Sequence, residues 1–428
     1  MSMEISVVKS NVIGKSYTYA KHKSGLRIFL YEMPGFTSYY GMFGTRYGSI
    51  DNSFQNEKGE TVNLPEGIAH FLEHKLFESE DGDAFTKYAA TGAYSNAYTS
   101  FDRTCYLFSC SDRFFDNLKI LLEFVRSPYF TEKTVAKEQG IIGQEIRMYD
   151  DQPSWQVLFN MLGAMFHNHP VKTDIAGTAE SISKITAELL YECYNKFYDL
   201  SNMFIVLGGD FNSREVLNFI DENLKVNSSH SLEFSPINEP ESIVKPYTEC
   251  NLDVAIPLFC IGFKENLKTT CPTAKHTVAM EILLKMLVGG ASPLYKKLLD
   301  EKLINEDFSP EYFTGRNIVI PMFEGESKAP ERILELILEE VQNYKTNGIN
   351  EKLFEAVRRE MYGNTLKRFD SADSVCSMLS DAAVLGYNLF EYLEEIRNIK
   401  VLDLVPCLDI ISNKNAVLSV VKGRNNNE

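Results

Sequence analysis

Two periods of apolar residues alternate along this chain. Segments such as GLRIFLYEM (25–33), SYYGMFGTRYGS (38–49) and LFCIGFKE (258–265) are short, apolar and rich in aromatic or β-branched side chains, which predicts strands. Between them lie longer stretches whose apolar residues recur every three to four positions, which predicts amphipathic helices. The expected fold is α+β: a mainly antiparallel sheet with helices packed on one face. One helix has more chemistry than its packing requires. In LPEGIAHFLEHKLFE (64–78), a wheel of about 100° per residue gathers Leu64, Ile68, Phe71, Leu72 and Leu76 on one side, and His70, Glu73, His74 and Phe77 on the other. A core needs no histidine. Pro65 and Glu66 suit the first turn of such a helix, the proline because no donor is wasted there and the glutamate because of the helix dipole.

The order of elements runs twice. TEKTVAKEQGIIGQE (131–145) aligns with NEKLFEAVRREMYGN (350–364), and NMFIVLGG (202–209) with NAVLSVVKG (415–423), so the chain reads as two similar halves. Its 428 residues exceed one comfortable core. The expected division is 1–226, a linker over 227–246 where Ser, Asn, Pro and charge replace helical periodicity, and 247–428. Setting residues 82–93 on 291–302 places Ala279, Ile282 and Leu283 against His70, Glu73 and His74. The second half lacks the polar constellation.

His70 and His74 are one turn apart, so both rings leave one face and can reach a single zinc ion, with Glu73 between them placed as a base. Two imidazoles leave a zinc site one protein ligand short. Glu138 and Glu145 lie two turns apart on a second helix, on a stripe with Ile141 and Ile142, where a carboxylate is expensive to bury unless it is paired or on a metal. Glu145 is therefore the expected third ligand and Glu138 the acid that orients a ligand or the base. The bland readings are a solvated helical face for His70, Glu73 and His74, and salt bridges to Lys133, Lys137 or Arg147 for the two glutamates. His167 and His169, before a proline, read as a loop; His22, His230 and His276 have no polar partner at useful spacing.

Composition narrows the partners. A net charge of -16 and a pI near 5.1 argue against nucleic acid, which is met by basic patches. The first sixteen residues lack the apolar core of a secretory signal and no stretch reads as a membrane span, so a cytoplasmic protein with no membrane contact is expected. Eight cysteines show no C-x-x-C pair and read as reduced and structural; Cys105 and Cys110, an odd number apart in a strand, point to opposite faces.

At HFLEH (70–74), with Glu145 following 71 residues after His74, the sequence resembles the pitrilysin/insulinase metallopeptidases, whose zinc motif is the inverted H-x-x-E-H. GAYSNAYTSFDRTCYLF (92–108) is similar to the family's strand with a central Asn-Ala, and FTEKTVAKEQGIIGQEI (130–146) to its acidic helix; length and order resemble half-length bacterial members and subunits of the mitochondrial processing peptidase. The resemblance implies one zinc ion on His70, His74 and Glu145, Glu73 as base and Glu138 as supporting acid. It also implies that Asn96, Ala97 and Tyr98 bind an extended peptide by strand addition. Complete members carry an Arg and a Tyr, seven apart, in the second half; here Leu299 and Glu306 stand at those places, and Tyr312 and Arg316 are in the wrong order and spacing. The implied function is a zinc endopeptidase working in a chamber with a partner subunit, a heterodimer or a homodimer. The other readings are a non-catalytic scaffold subunit and a hydrolase of something other than peptides.

Overall fold

The computed structural model describes residues 3–55, 59–80, 82–226, 237–267 and 271–424. Residues 227–236 of the expected linker, His230 among them, lie outside the described residues. The chain forms two compact units: one comprises Met1–Ile146, Asp174–Pro236 and Lys367–Phe390, the other Arg147–Thr173, Ile237–Leu366 and Glu391–Glu428.

In the first unit the main strands are β1 (Met3–Lys9), β2 (Ser16–His22), β3 (Arg27–Glu32), β4 (Tyr39–Thr45), β5 (Tyr94–Thr99), β6 (Thr104–Cys110) and β7 (Met203–Gly209). They form one sheet in the order β1-β2-β3-β7-β4-β6-β5. Only β3 and β7 run parallel in it. The second unit holds β8 (Tyr247–Leu252), β9 (Leu258–Phe263), β10 (Ser309–Gly315), β11 (Ile318–Glu326) and β12 (Ala416–Gly423), ordered β8-β12-β9-β11-β10, with β8 and β12 parallel and the rest antiparallel. The five strands β3-β7-β4-β6-β5 therefore reappear, in order and in sense, as β8-β12-β9-β11-β10. The duplication expected from two weak internal matches is a duplication of topology, and the ribbon β1-β2 is an addition to the first copy.

Helices follow the same duplication: α1 (Ile68–Leu76), α2 (Ala84–Thr91), α3 (Phe114–Val125), α4 (Glu132–Asp150) and α5 (Pro153–Met165) correspond in chain order to α6 (Ala274–Val288), α7 (Pro293–Asp300), α8 (Pro330–Asn347), α9 (Glu351–Arg368) and α10 (Ala372–Leu385). The fifth helix of each set is exchanged. α5, from the first half of the chain, packs on β8, β9 and β12 of the second unit, while α10 packs on β3, β4 and β7 of the first. Each covers the face its own helical layer leaves bare. On β6, Tyr106 meets Phe77 and Phe124 from the α1 and α3 side, whereas its neighbour Cys105 faces Ser380 of α10. On β9, Ile261 joins the core with α6, and Gly262 meets Met161 and Met165 of α5. Most helices thus lie on one face of each sheet, as expected, and one more closes the reverse.

The absence of a span-like stretch is corrected here: Ala274–Asp300 is long and apolar enough, by composition, to cross a bilayer. Of its most apolar 18-residue stretch 67% is buried, and Val278, Ile282, Leu283 and Leu287 help to form the core of the second unit. All eight cysteines are free, five of them buried.

Candidate metal centre

The start of α1 is fixed by backbone rather than by a side-chain cap. Gly67 adopts φ 84°, and a Cβ there would stand 2.3 Å from the Ala176 carbonyl oxygen, so any other residue would be strained and displaced. Ser181 Oγ donates to the Glu66 carbonyl at 2.8 Å and pins the approach. The helix begins at Ile68, so Pro65 and Glu66 occupy the turn before it and its first turn holds no acid. Ile68, Phe71, Leu72 and Leu76 are buried as the wheel predicts, each contributing roughly 1.5–3 kcal/mol of apolar burial. The opposite side is buried too. His70 and Glu73 are each 8% exposed and His74 is half-buried, which rules out a solvated face; Lys75, between Leu64 and Ile68 on the apolar side of the wheel, is 0% exposed. Lys75 pairs with Glu78, which also lies 3.5 Å from Lys137.

α4 meets that side with its carboxylates. Glu145 Oε1 stands 3.7 Å from His70 Nε2, and Oε2 3.5 Å from His74 Nε2; Glu138 Oε1 is 3.0 Å from His74 Nδ1. Ile142 is buried between the two acids, while Ile141, expected on the same stripe, is 44% exposed. The side-chain donors of His70, Glu73 and His74 all lie within 4.8 Å of one another. The two Glu145 separations are long for a hydrogen bond, yet they are near the edge of about 3.4 Å that bonds of about 2.0–2.1 Å set in a tetrahedron. Two imidazole nitrogens and a carboxylate are also a donor set zinc accepts. The residues fit the ion. Glu138 has the further place such sites require, holding the other ring nitrogen of a ligand.

The electrostatics of the cluster differ from residue to residue. Burial, and then the charge of His74, push the His70 imidazole down to about 3, so it is neutral and able to ligate. Burial acts to lower His74 as well, but its bond to Glu138 and the charges of Glu73 and Glu145 outweigh it and raise the pKa. Burial would raise Glu138, and the His74 bond overcomes it, leaving that carboxyl below its usual range. Glu73 goes the other way: burial pushes it up to about 7 against the lowering effects of His74 and of a hydrogen bond from Thr99.

Beside the cluster runs β5, an edge of its sheet that α1 packs against. Alternation puts Asn96 and Tyr98 on the side that faces α10, while Ala97 and Thr99 face α1. The Asn96 carboxamide accepts from the Ala97 amide at 2.9 Å. Thr99, absent from the sequence-derived set, donates its hydroxyl to Glu73 Oε2 at 3.1 Å. The period of two that places Ala97 on this face places Thr99 there as well, and was the signal that could have found it.

In the second unit, Leu299 packs against the core and Glu306 is exposed. Tyr312 is buried with its hydroxyl on Glu265, and Arg316 is buried in the turn between β10 and β11. None of these resembles a pair waiting for a substrate carbonyl. Two histidines read as partnerless are partnered: His22 with Ser24 and Asp221, His276 with Glu265. His169, expected in a loop, is buried where it caps a short 3-10 turn through Nδ1.

Comparisons with known proteins show which family the chain resembles. The model of insulinase, peptidase family M16, matches residues 60–179, and that of the peptidase M16 inactive domain matches 184–361. YmfH of Bacillus subtilis strain 168, named an uncharacterized zinc protease, is 36% identical over 94% of this chain and 95% of its own length. A probable mitochondrial-processing peptidase subunit beta from Arabidopsis thaliana is 27% identical over 60% of this chain and half of its own. The crystal structure of an M16-like peptidase from Alicyclobacillus acidocaldarius superposes with a TM-score of 0.89 at 31% identity, covering 99% of both chains.

Proposed function

The chain belongs to the insulinase family of peptidases, M16, and from that premise we propose that it is a zinc endopeptidase subunit that cleaves extended peptides with the help of a partner chain. The observation that carries the reading is the convergence of His70, His74 and Glu145 from two helices, beside an open sheet edge, with Glu73 poised among them. A zinc ion held there would polarise the scissile carbonyl and acidify a neighbouring water. The remaining work belongs to the chain. β5 offers its free edge to a peptide backbone, with Asn96, Ala97 and Tyr98 along it, so that recognition depends on main-chain hydrogen bonds more than on side chains. Glu73, buried and with a pKa near 7, is matched to accept a proton from the attacking water and return it to the leaving amine near neutral pH. Glu138 fixes the His74 ring through Nδ1.

Leu299 and Glu306 leave this chain without an Arg and a Tyr to steady the developing oxyanion, a form of help usually worth a few kcal/mol. In this proposal a similar partner subunit supplies them, the two chains enclosing a chamber. A non-catalytic scaffold is the alternative, and the intact H-x-x-E-H weighs against it. The test measures zinc content and then cleavage of an unstructured peptide by this chain alone and with a chain that carries the Arg and Tyr. Near one zinc per chain, with turnover that rises at least tenfold in the mixture, is expected. Full turnover by the isolated monomer would remove the partner, and no stoichiometric zinc would remove the enzyme.

A further inference from the structure

Glu73 has two possible fates, because its carboxylate oxygen lies within 4.8 Å of the ring nitrogens of both candidate ligand histidines. A carboxylate able to reach a divalent ion can become a ligand, and one that does so is lost as a base. Helix geometry alone does not prevent it, since the side chain has three torsions and leaves α1 on the same side as His70 and His74.

The restraint comes from β5. Thr99 Oγ1 donates to Glu73 Oε2 at 3.1 Å. Strand register sets Thr104 of β6 directly opposite Thr99, and their hydroxyl oxygens are 3.4 Å apart. Thr104 is fully buried and its own hydroxyl donates to the Tyr47 carbonyl at 2.9 Å. With its hydrogen committed there, Thr104 can only accept from Thr99, at 3.4 Å, so the nearer Glu73 carboxylate at 3.1 Å is the better acceptor for the Thr99 hydrogen. Both threonines are β-branched, with narrow rotamer choice on a strand, so the hydroxyl is presented in a fixed direction.

We infer that Thr99 is a positioning residue that holds the Glu73 carboxylate out of the metal's coordination shell, keeping it a base instead of an additional ligand. The inference rests on the metal reading of the preceding subsection. Its consequence is that the strand offered to the peptide and the group that moves the proton share one hydrogen bond.

The experiment uses the full chain loaded with cobalt(II) in place of zinc, whose visible spectrum reports coordination number without any substrate. Thr99→Val keeps shape and strand preference but removes the donor; Thr99→Ser keeps the donor. In Thr99→Val the visible bands should weaken by about twofold or more, as expected when a four-coordinate centre gains a ligand. kcat, read on the zinc-loaded assembly, should fall about 10- to 100-fold with KM within twofold. Thr99→Ser should keep the spectrum and at least a third of kcat. A wild-type spectrum and kcat in the cobalt- and zinc-loaded valine variant would overturn the inference and leave the metal centre standing. Equal losses in the serine variant would overturn it as well, by showing that bulk and not the hydroxyl matters. If the wild-type chain takes up no cobalt, the metal reading itself fails, and this inference with it.

Discussion

α1 and α6 occupy the same place in two copies of one topology, and they solve the same packing problem differently. Both are buried nearly all round. α6 does this with apolar residues, and Ala279, Ile282 and Leu283 are 2%, 0% and 0% exposed. α1 buries His70, Glu73 and Lys75 as well: Glu73 accepts from Thr99 and Lys75 pairs with Glu78, while His70 has the Glu145 carboxylate 3.7 Å from Nε2 and no hydrogen-bond partner at Nδ1. The difference teaches that the polar set is not tolerated surface decoration. It is a network imported into a position the fold can fill without it.

The comparison breaks most visibly if the second copy is given the first copy's residues. Ala279→His, Ile282→Glu and Leu283→His together should destabilise the second unit by about 5 kcal/mol or more, because lost apolar contacts add to buried groups with no partner. Urea unfolding would show it; a wild-type midpoint would mean that α6 is not the packed core helix described. In the first copy, Glu73→Gln should leave zinc content unchanged while peptide turnover falls about a thousandfold. Unchanged turnover would end the assignment of Glu73 as the base.

A third difference concerns acid. Buried His169 in the second unit is pushed down to about 4, chiefly by burial, with the Glu239 carboxylate opposing. A histidine whose folded pKa lies below its unfolded value of 6.5 contributes stability that is fully present above that pH. That stability is lost as pH falls from 6.5 toward 4. The second unit should lose up to about 3 kcal/mol over this window, and His169→Asn should flatten the profile. The smallest effect is expected at the margin of the site: Glu138→Gln should weaken zinc binding about 10- to 100-fold, because His74 would keep a neighbour but lose a charge. Competition with a chelator measures it.

Periodicity carried the strands and the duplicated order, because alternation and segment order survive even where residues do not. The convergence of His70, Glu73 and His74 with Glu138 and Glu145 was legible because one-turn and two-turn spacings on helices are local facts, and their meeting across helices followed from the expense of burying the two glutamates. What escaped was long-range. Asp221, the partner of His22, lies 199 residues away, and no spacing rule reaches it. Lys75, about which the sequence reading is silent, proves to be fully buried and paired with Glu78. The exchange of α5 and α10 leaves no mark on a hydrophobic pattern, since a helix shows which of its faces is apolar but not which sheet receives it.

That exchange has a practical consequence for anyone dividing the molecule. A cut in the middle of the chain, where composition invites one, would strip each half of a helix it depends on. Each fragment would be left with a bare sheet at Gly208 or Gly262 and an orphaned amphipathic helix. Neither piece should be soluble by itself, and the pair should recover only when mixed, like two halves of a clasp.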